Sequence, residues 1–116
     1  MAGRLRNRVR FQKWGETVDE YGRVGEGWEN LSPDLVVAAD IQPMGGNETL
    51  RAERVSSAVK FEIRIRYSAA AAAVTAEDHR AVDVRSGETF NIAAVVDPTR
   101  RRRWLHMTCE AGLSDG

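Results

Sequence analysis

The stretch from Val59 to Tyr67, VKFEIRIRY, sets Val59, Phe61, Ile63, Ile65 and Tyr67 in strict alternation with Lys60, Glu62, Arg64 and Arg66. Successive side chains of a strand point to opposite faces, so this spacing buries the apolar set and turns the charges toward water or a partner. A helix would carry the same charges into its own core. The flanking segments repeat the pattern more weakly, which predicts a small β-protein whose charged faces and loops carry its function.

The rest of the chain supplies partners for that strand. Arg8 to Trp14 alternates as a first strand, with Val9 and Phe11 on one face and Arg8, Arg10 and Gln12 on the other. DEYGRVGEG, from Asp19 to Gly27, reads as a glycine-rich turn and hairpin tip. Pairing resumes over Trp28 to Leu31, and Ser32-Pro33 interrupts it. Leu35 to Gln42 is an apolar strand whose poor alternation predicts burial on both faces, and Pro43 stops it by removing a ladder donor. Ser68 to Ala76 is an alanine-rich linker with room for a brief helical turn. Ala81 to Arg85 and Thr89 to Val96 flank Ser86-Gly87-Glu88, a hairpin signal. Asp97-Pro98-Thr99 starts a turn, and Trp104 to Glu110 alternates as a last strand. The expected fold is therefore mainly β: a small antiparallel barrel or sandwich of about six strands. A chain of 116 residues with no internal repeat and no boundary signal is expected to form a single domain over 1–116.

One connection departs from the pattern. Pro43 to Ser57, PMGGNETLRAERVSS, opens with Gly45-Gly46, offers Asn47 as an N-cap and Glu48 for a first turn, and continues through Leu50, Arg51, Ala52, Glu53 and Arg54. A long loop carrying a short helix is expected here. Loops of this length inside compact domains tend to be functional or disordered.

The net charge of zero conceals segregation. Arg4, Arg6, Arg8, Arg10 and Lys13 form a basic start with no acid, Glu16 to Asp40 holds seven acids against Arg23 alone, and Arg100 to Arg103 form an uninterrupted block. Opposite patches on one chain favour protein contacts over nucleic acid, because the acidic segment cancels long-range attraction for phosphate. Apolar content of 42% and charged content of 29% suit a globular domain and leave no stretch apolar and long enough to span a membrane. The N-terminus offers no secretory signal, so the expected compartment is cytoplasmic. The lone Cys109 permits no internal disulfide and no cysteine zinc site.

Catalytic chemistry is hard to find. GRVGEG, at Gly22 to Gly27, lacks the spacing and the strand-to-helix context of a dinucleotide site. Cys109 lies on the apolar phase of its strand, where a buried structural thiol outweighs a nucleophile paired with His106. Glu77, Asp78 and His79 stand too close in sequence to converge on one ion unaided. No catalytic residue, cofactor or metal is expected. Phe11, Trp14 and Tyr67 beside arginines would fit a small single-stranded nucleic-acid-binding β-barrel module, the alternative reading, but they sit on apolar phases or at strand ends, which favours the core.

Taken together, the motifs resemble the head-tail joining proteins of long-tailed bacteriophages, the adaptors and stoppers also found in prophages and gene transfer agents. GRLRNRVRFQ (Gly3 to Gln12) resembles their opening strand, EYGRVGEGWE (Glu20 to Glu29) their hairpin ending in tryptophan, and ADIQPMGGNE (Ala39 to Glu48) their strand followed by proline, glycine and glutamate. VKFEIRIRY resembles the central strand and GETFNIAAVVDPTRRRRWLHMTCEAG (Gly87 to Gly112) the closing hairpin. Val37-Ala38-Ala39-Asp40, where the family pattern has tryptophan-alanine, and the alanine-rich linker depart from that pattern. The resemblance implies a non-enzymatic virion protein of the head-tail neck, made in the host cytoplasm, that forms a homo-oligomeric ring below the portal. The ring would meet a portal-side adaptor and a tail-terminator or tail protein, with packaged double-stranded DNA passing through and no membrane involved. By position, Pro43, Gly45, Gly46, Asn47, Glu48, Arg51 and Arg54 would form the channel loop. Arg4, Arg6, Arg8, Arg10, Asp19, Glu20, Arg100, Arg101, Arg102 and Arg103 would face a neighbouring subunit or ring.

Overall fold

The computed structural model describes residues 5–44 and 59–111. In chain order the elements are β1 (Asn7–Val18), β2 (Val24–Asn30), β3 (Val36–Pro43), β4 (Val59–Arg66), α1 (Ala69–Ala72), β5 (His79–Asp83), β6 (Thr89–Val96) and β7 (Trp104–Ala111). Six strands close into an antiparallel barrel in the order β1-β3-β4-β7-β6-β5, with β5 returning to β1, and β2 pairs with β1 outside the ring. The expected mainly β barrel is thus the observed fold, with one strand more than the closed ring uses.

Alternation decides what the barrel holds. On β4, Ile63 and Ile65 are fully buried while Lys60 and Arg66 are exposed. β7 repeats this with Leu105, Met107, Cys109 and Ala111 inside, and β1 with Val9 and Phe11. Phe61 and Phe90 meet edge-on inside, with ring centroids 5.3 Å apart. Edge-to-face packing of this kind contributes about 0.5–1.5 kcal/mol beyond the area it buries. α1 crosses one mouth of the barrel. Ser68 caps it, its hydroxyl accepting from the Ala71 amide at 3.0 Å, and Ala71 and Val74 enter the core.

Several boundaries differ from the sequence reading. β1 runs on to Val18 because its second half pairs with β2, from Gln12↔Asn30 to Val18↔Val24. The turn at the tip is therefore shorter than DEYGRVGEG. Asp19 closes it, its carboxylate accepting from the Tyr21 and Arg23 amides at 2.8 and 2.9 Å, and Gly22 supplies the positive φ. β3 is not buried on both faces: Ala39 is inside, whereas Ala38 and Gln42 are exposed. Its poor alternation comes from alanines, small enough for either side. The short helix expected within Pro43 to Ser57, and with it Gly45, Gly46, Asn47, Glu48, Arg51 and Arg54, lies outside the described residues, as does Arg4.

β2 and β3 share one edge of β1. The Phe11 amide donates to the Leu35 carbonyl at 3.1 Å and the Leu31 amide to the Phe11 carbonyl at 3.3 Å, so one residue of β1 bridges the break between them. Below it β1 belongs to the barrel; above it β1 and β2 continue as a two-stranded arm. Strand directions place the arm, α1 and the β6–β7 turn at one end of the barrel. The β5–β6 turn and the ends of β3 and β7 lie at the other.

Candidate functional site

The arm has two unlike faces. On the face continuous with the barrel exterior, cross-strand neighbours are Gln12 with Asn30, Trp14 with Trp28, Glu16 with Glu26 and Val18 with Val24. Gln12 Nε2 donates to Asn30 at 2.9 Å, and the tryptophan rings meet edge-on at 5.4 Å. Arg80, from β5, donates to Gln12 Oε1 at 2.8 Å and lies 4.6 Å from the Trp28 ring centroid. Beyond this clamp the stripe is uncovered: Trp14 is 43% exposed, Val18 63%, Val24 64% and, at the tip, Tyr21 77%. The opposite face carries Lys13 with Glu29, Gly15 with Gly27 and Thr17 with Gly25, so half of its positions are bare backbone. An aromatic residue at the end of the expected first strand, Trp14 is expected in the core. It is instead on the outer face, because on β1 Trp14 has the opposite phase from Phe11 and shares that of Gln12 and Glu16.

The β6–β7 turn presents the arginine block. Asp97 organises it, accepting from the Arg100 and Arg102 amides at 2.9 and 3.0 Å, and both arginines adopt a positive φ of 59°. At its base the Tyr67 amide donates to the Arg103 carbonyl at 3.0 Å. All of Arg100, Arg101, Arg102 and Arg103 are exposed, and none of their guanidinium groups has an ion pair among the described residues. Beside the turn, Trp104 lies 5.0 Å from Arg66 and 5.6 Å from Arg64. Arg64 also pairs with Asp40 at 3.0 Å, which leaves its Nε buried without a partner. Val96, at the end of β6, is 53% exposed. Nothing in the sequence pattern showed that Asp40, Arg64, Arg66 and Trp104 would share one outer surface; that needed the β3–β4–β7 register.

The remaining expected contact residues divide. Arg6 and Arg8 are exposed, whereas Arg10 is held by Asp34 at 3.0 Å across the β2–β3 connection. Asp19 is engaged by the turn it closes, and Glu20 is exposed beside it. Pro43 ends β3, opposite Phe61 and at the far end of the barrel from the arm.

A cleft of about 670 Å³ lies between the root of the arm and α1, lined by Lys13, Gly15, Leu31, Leu35, Ala73 and His79 among others. His79 Nδ1 is 2.8 Å from Asp78 Oδ1 and 3.2 Å from the Thr75 amide. Protonated, it donates to Asp78; unprotonated, it accepts from Thr75. A hydrogen bond from the Thr75 hydroxyl, with help from His79, holds the Asp78 carboxyl below its ordinary pKa. These contacts lock the loop into β5 and assemble no nucleophile. Cys109 is wholly buried, and burial pushes its thiol up to about 12. His106 sits on the outer face of the same strand, 3.4 Å from Glu62, so the two cannot act as nucleophile and base. No cluster of metal-ligating side chains occurs among the described residues, and no helix among them is long and apolar enough to cross a membrane.

Comparison with known proteins adds to this geometry. A family model described as phage head completion protein matches residues 1–112. The solution structure of protein SF1141 from Shigella flexneri 2a superposes with a TM-score of 0.64 at 24% identity, over 98% of each chain. A chain from the virion of a native gene transfer agent particle superposes with a TM-score of 0.64 at 18% identity, covering 96% of this chain and 97% of that one. At these identities the two structures show a shared fold. None of the curated proteins matches the chain.

Proposed function

The chain belongs to the phage head completion protein family, and on that premise we propose that it is a structural protein of the head-tail neck, acting as one domain over residues 1–116. It forms a ring below the portal, extends or closes the DNA channel and offers the tail a docking surface. The observation that carries this reading is the family match across nearly the whole chain. The virion particle that supplies one of the similar folds supports it.

The surfaces suit such a role. A ring of identical subunits joins two different patches of each copy, and this chain has an acidic, partly apolar arm and an arginine turn. The exposed Arg6 and Arg8 lie toward the other end, suited to an adjacent ring. The β3–β4 connection starts at that end, after Pro43, and on this reading Gly45, Gly46, Asn47, Glu48, Arg51 and Arg54 face the channel. Strong basic contacts in a channel would retard passing DNA, so Arg51 and Arg54 contact protein or a few phosphates and form no deep groove.

Electron microscopy of particles made after deleting the gene in its native host tests the reading. Free tails beside heads that packaged and then lost DNA are expected. Normal tailed, DNA-filled particles would overturn it. An Arg51→Ala/Arg54→Ala variant that assembles rings yet leaks DNA would support the channel role of that segment, and one that abolishes ring assembly would refute it.

A further inference from the structure

We infer that the β1–β2 arm of one subunit docks on the β6–β7 arginine turn of a second copy of this chain, with Glu16 and Glu26 receiving Arg101 and Arg103 and with Val18 and Val24 covering Val96. The inference rests on the ring reading and names the contact that would build it.

The arm is unfinished as it stands. Glu16 and Glu26 are directly opposite on one face, an arrangement that destabilises a strand pair, and neither makes an ion pair among the described residues. Valines bracket them toward the tip and tryptophans toward the barrel, all on the same face. Apolar groups of this size, exposed in a row with acids between them, form the mixed surface of a protein contact.

The arginine turn offers the converse. Its four guanidinium groups lack ion pairs among the described residues, and Val96 and Trp104 supply apolar surface beside them. Aspartate 97 is the nearby acid, and its oxygens are occupied by backbone amides. Arm and turn cannot satisfy each other within one molecule. β7 stands three strands from β1 in either direction around the barrel, so the two patches lie on opposite flanks.

They nevertheless lie at the same end of the barrel. A contact from one flank to the opposite flank at one level is heterologous and can repeat around an axis parallel to the barrel. A two-fold contact of arm with arm would set acid against acid. DNA would satisfy the arginines and repel the arm, whereas a second copy satisfies both.

Paramagnetic relaxation between two preparations of the full chain tests the contact. A nitroxide is placed on an exposed thiol at Glu20→Cys in one, with buried Cys109 left as it is, and the other carries only isotope label. At millimolar concentration even a contact with a Kd of about 1 mM leaves a sizeable bound fraction. The expected result is loss of amide signal at Arg101, Arg103 and Trp104, with the β5–β6 turn at the far end unaffected. Glu16→Lys/Glu26→Lys on the spin-labelled chain removes the effect, and Arg101→Glu/Arg103→Glu on the reporter chain restores it. No broadening, broadening confined to the arm, or a failure of the paired reversals to restore it would overturn the inference. The outcome is independent of the gene deletion: leaking heads with no arm-to-turn contact would refute this contact alone, and normal particles would refute the neck role alone.

Discussion

The barrel and the arm are built from the same strand, β1, and differ in almost everything else. In the barrel, β1 has neighbours on both edges, β3 and β5, and a core on one face that wholly buries Phe11. In the arm it has one partner strand, a face half of glycine and a face of tryptophan, glutamate and valine left uncovered. Pairing on two edges with a filled interior makes a self-sufficient fold, whereas an isolated two-stranded ribbon is marginal in water. The arm holds its shape near the root, where Trp14, Trp28 and Arg80 pack together, and through the Asp19 turn at its tip. Between them Val18 and Val24 stand exposed.

The widest gap between the two regions is expected in thiol chemistry. Burial raises the Cys109 thiol to about 12. Buried and held as the thiol, it is shielded from a disulfide reagent, which will label a Glu20→Cys arm thiol promptly and Cys109 only on unfolding. Equal labelling rates in native protein would break the distinction. In stability, Phe11→Ala removes a wholly buried ring and should cost about 3–5 kcal/mol in urea titration; a loss under about 1 kcal/mol would mean the barrel is not the stabilising unit. Trp28→Ala takes away the edge-on partner of Trp14 and the seat of Arg80, and should cost about 1–2 kcal/mol by the same titration. Asp97→Ala frees two amides of the arginine turn for about 1 kcal/mol, seen also as faster hydrogen exchange at Arg100 and Arg102. Val24→Ser, on the uncovered face, should change stability by no more than about 0.5 kcal/mol; a larger loss would show that the arm packs on its own barrel.

What the sequence made legible follows the same division. The strict alternation of β4 and β7 reports burial on one face directly, because large side chains commit to one side; both strands sit where VKFEIRIRY and WLHMTCE placed them. β3 is harder to read since its alanines register no preference, and the VGEG of β2 reads as a turn since glycine carries turn signal wherever it stands. In the arm those glycines have another use, leaving Thr17 the one side chain on its face beyond Lys13 and Glu29. Trp14 misleads for a related reason: an aromatic residue in a strand suggests a core, and only the register with β2 shows that there is none above Phe11. The arginine block was evident as a run of charge. That it occupies the same end as the acidic arm and the opposite flank follows from strand order, which no local pattern encodes.

Arithmetic lies behind the arm. A ring in which every neighbour runs antiparallel must contain an even number of strands, and this chain has seven described ones. One must be left over. Because β2 and β3 run the same way along one edge of β1, the chain discharges the remainder by setting β2 beyond the rim, where it lengthens β1 without disturbing the circuit. Lengthening or trimming the odd strand together with its stretch of β1 alters reach and leaves parity intact, so the span of the arm can change between relatives while the barrel stays the same size.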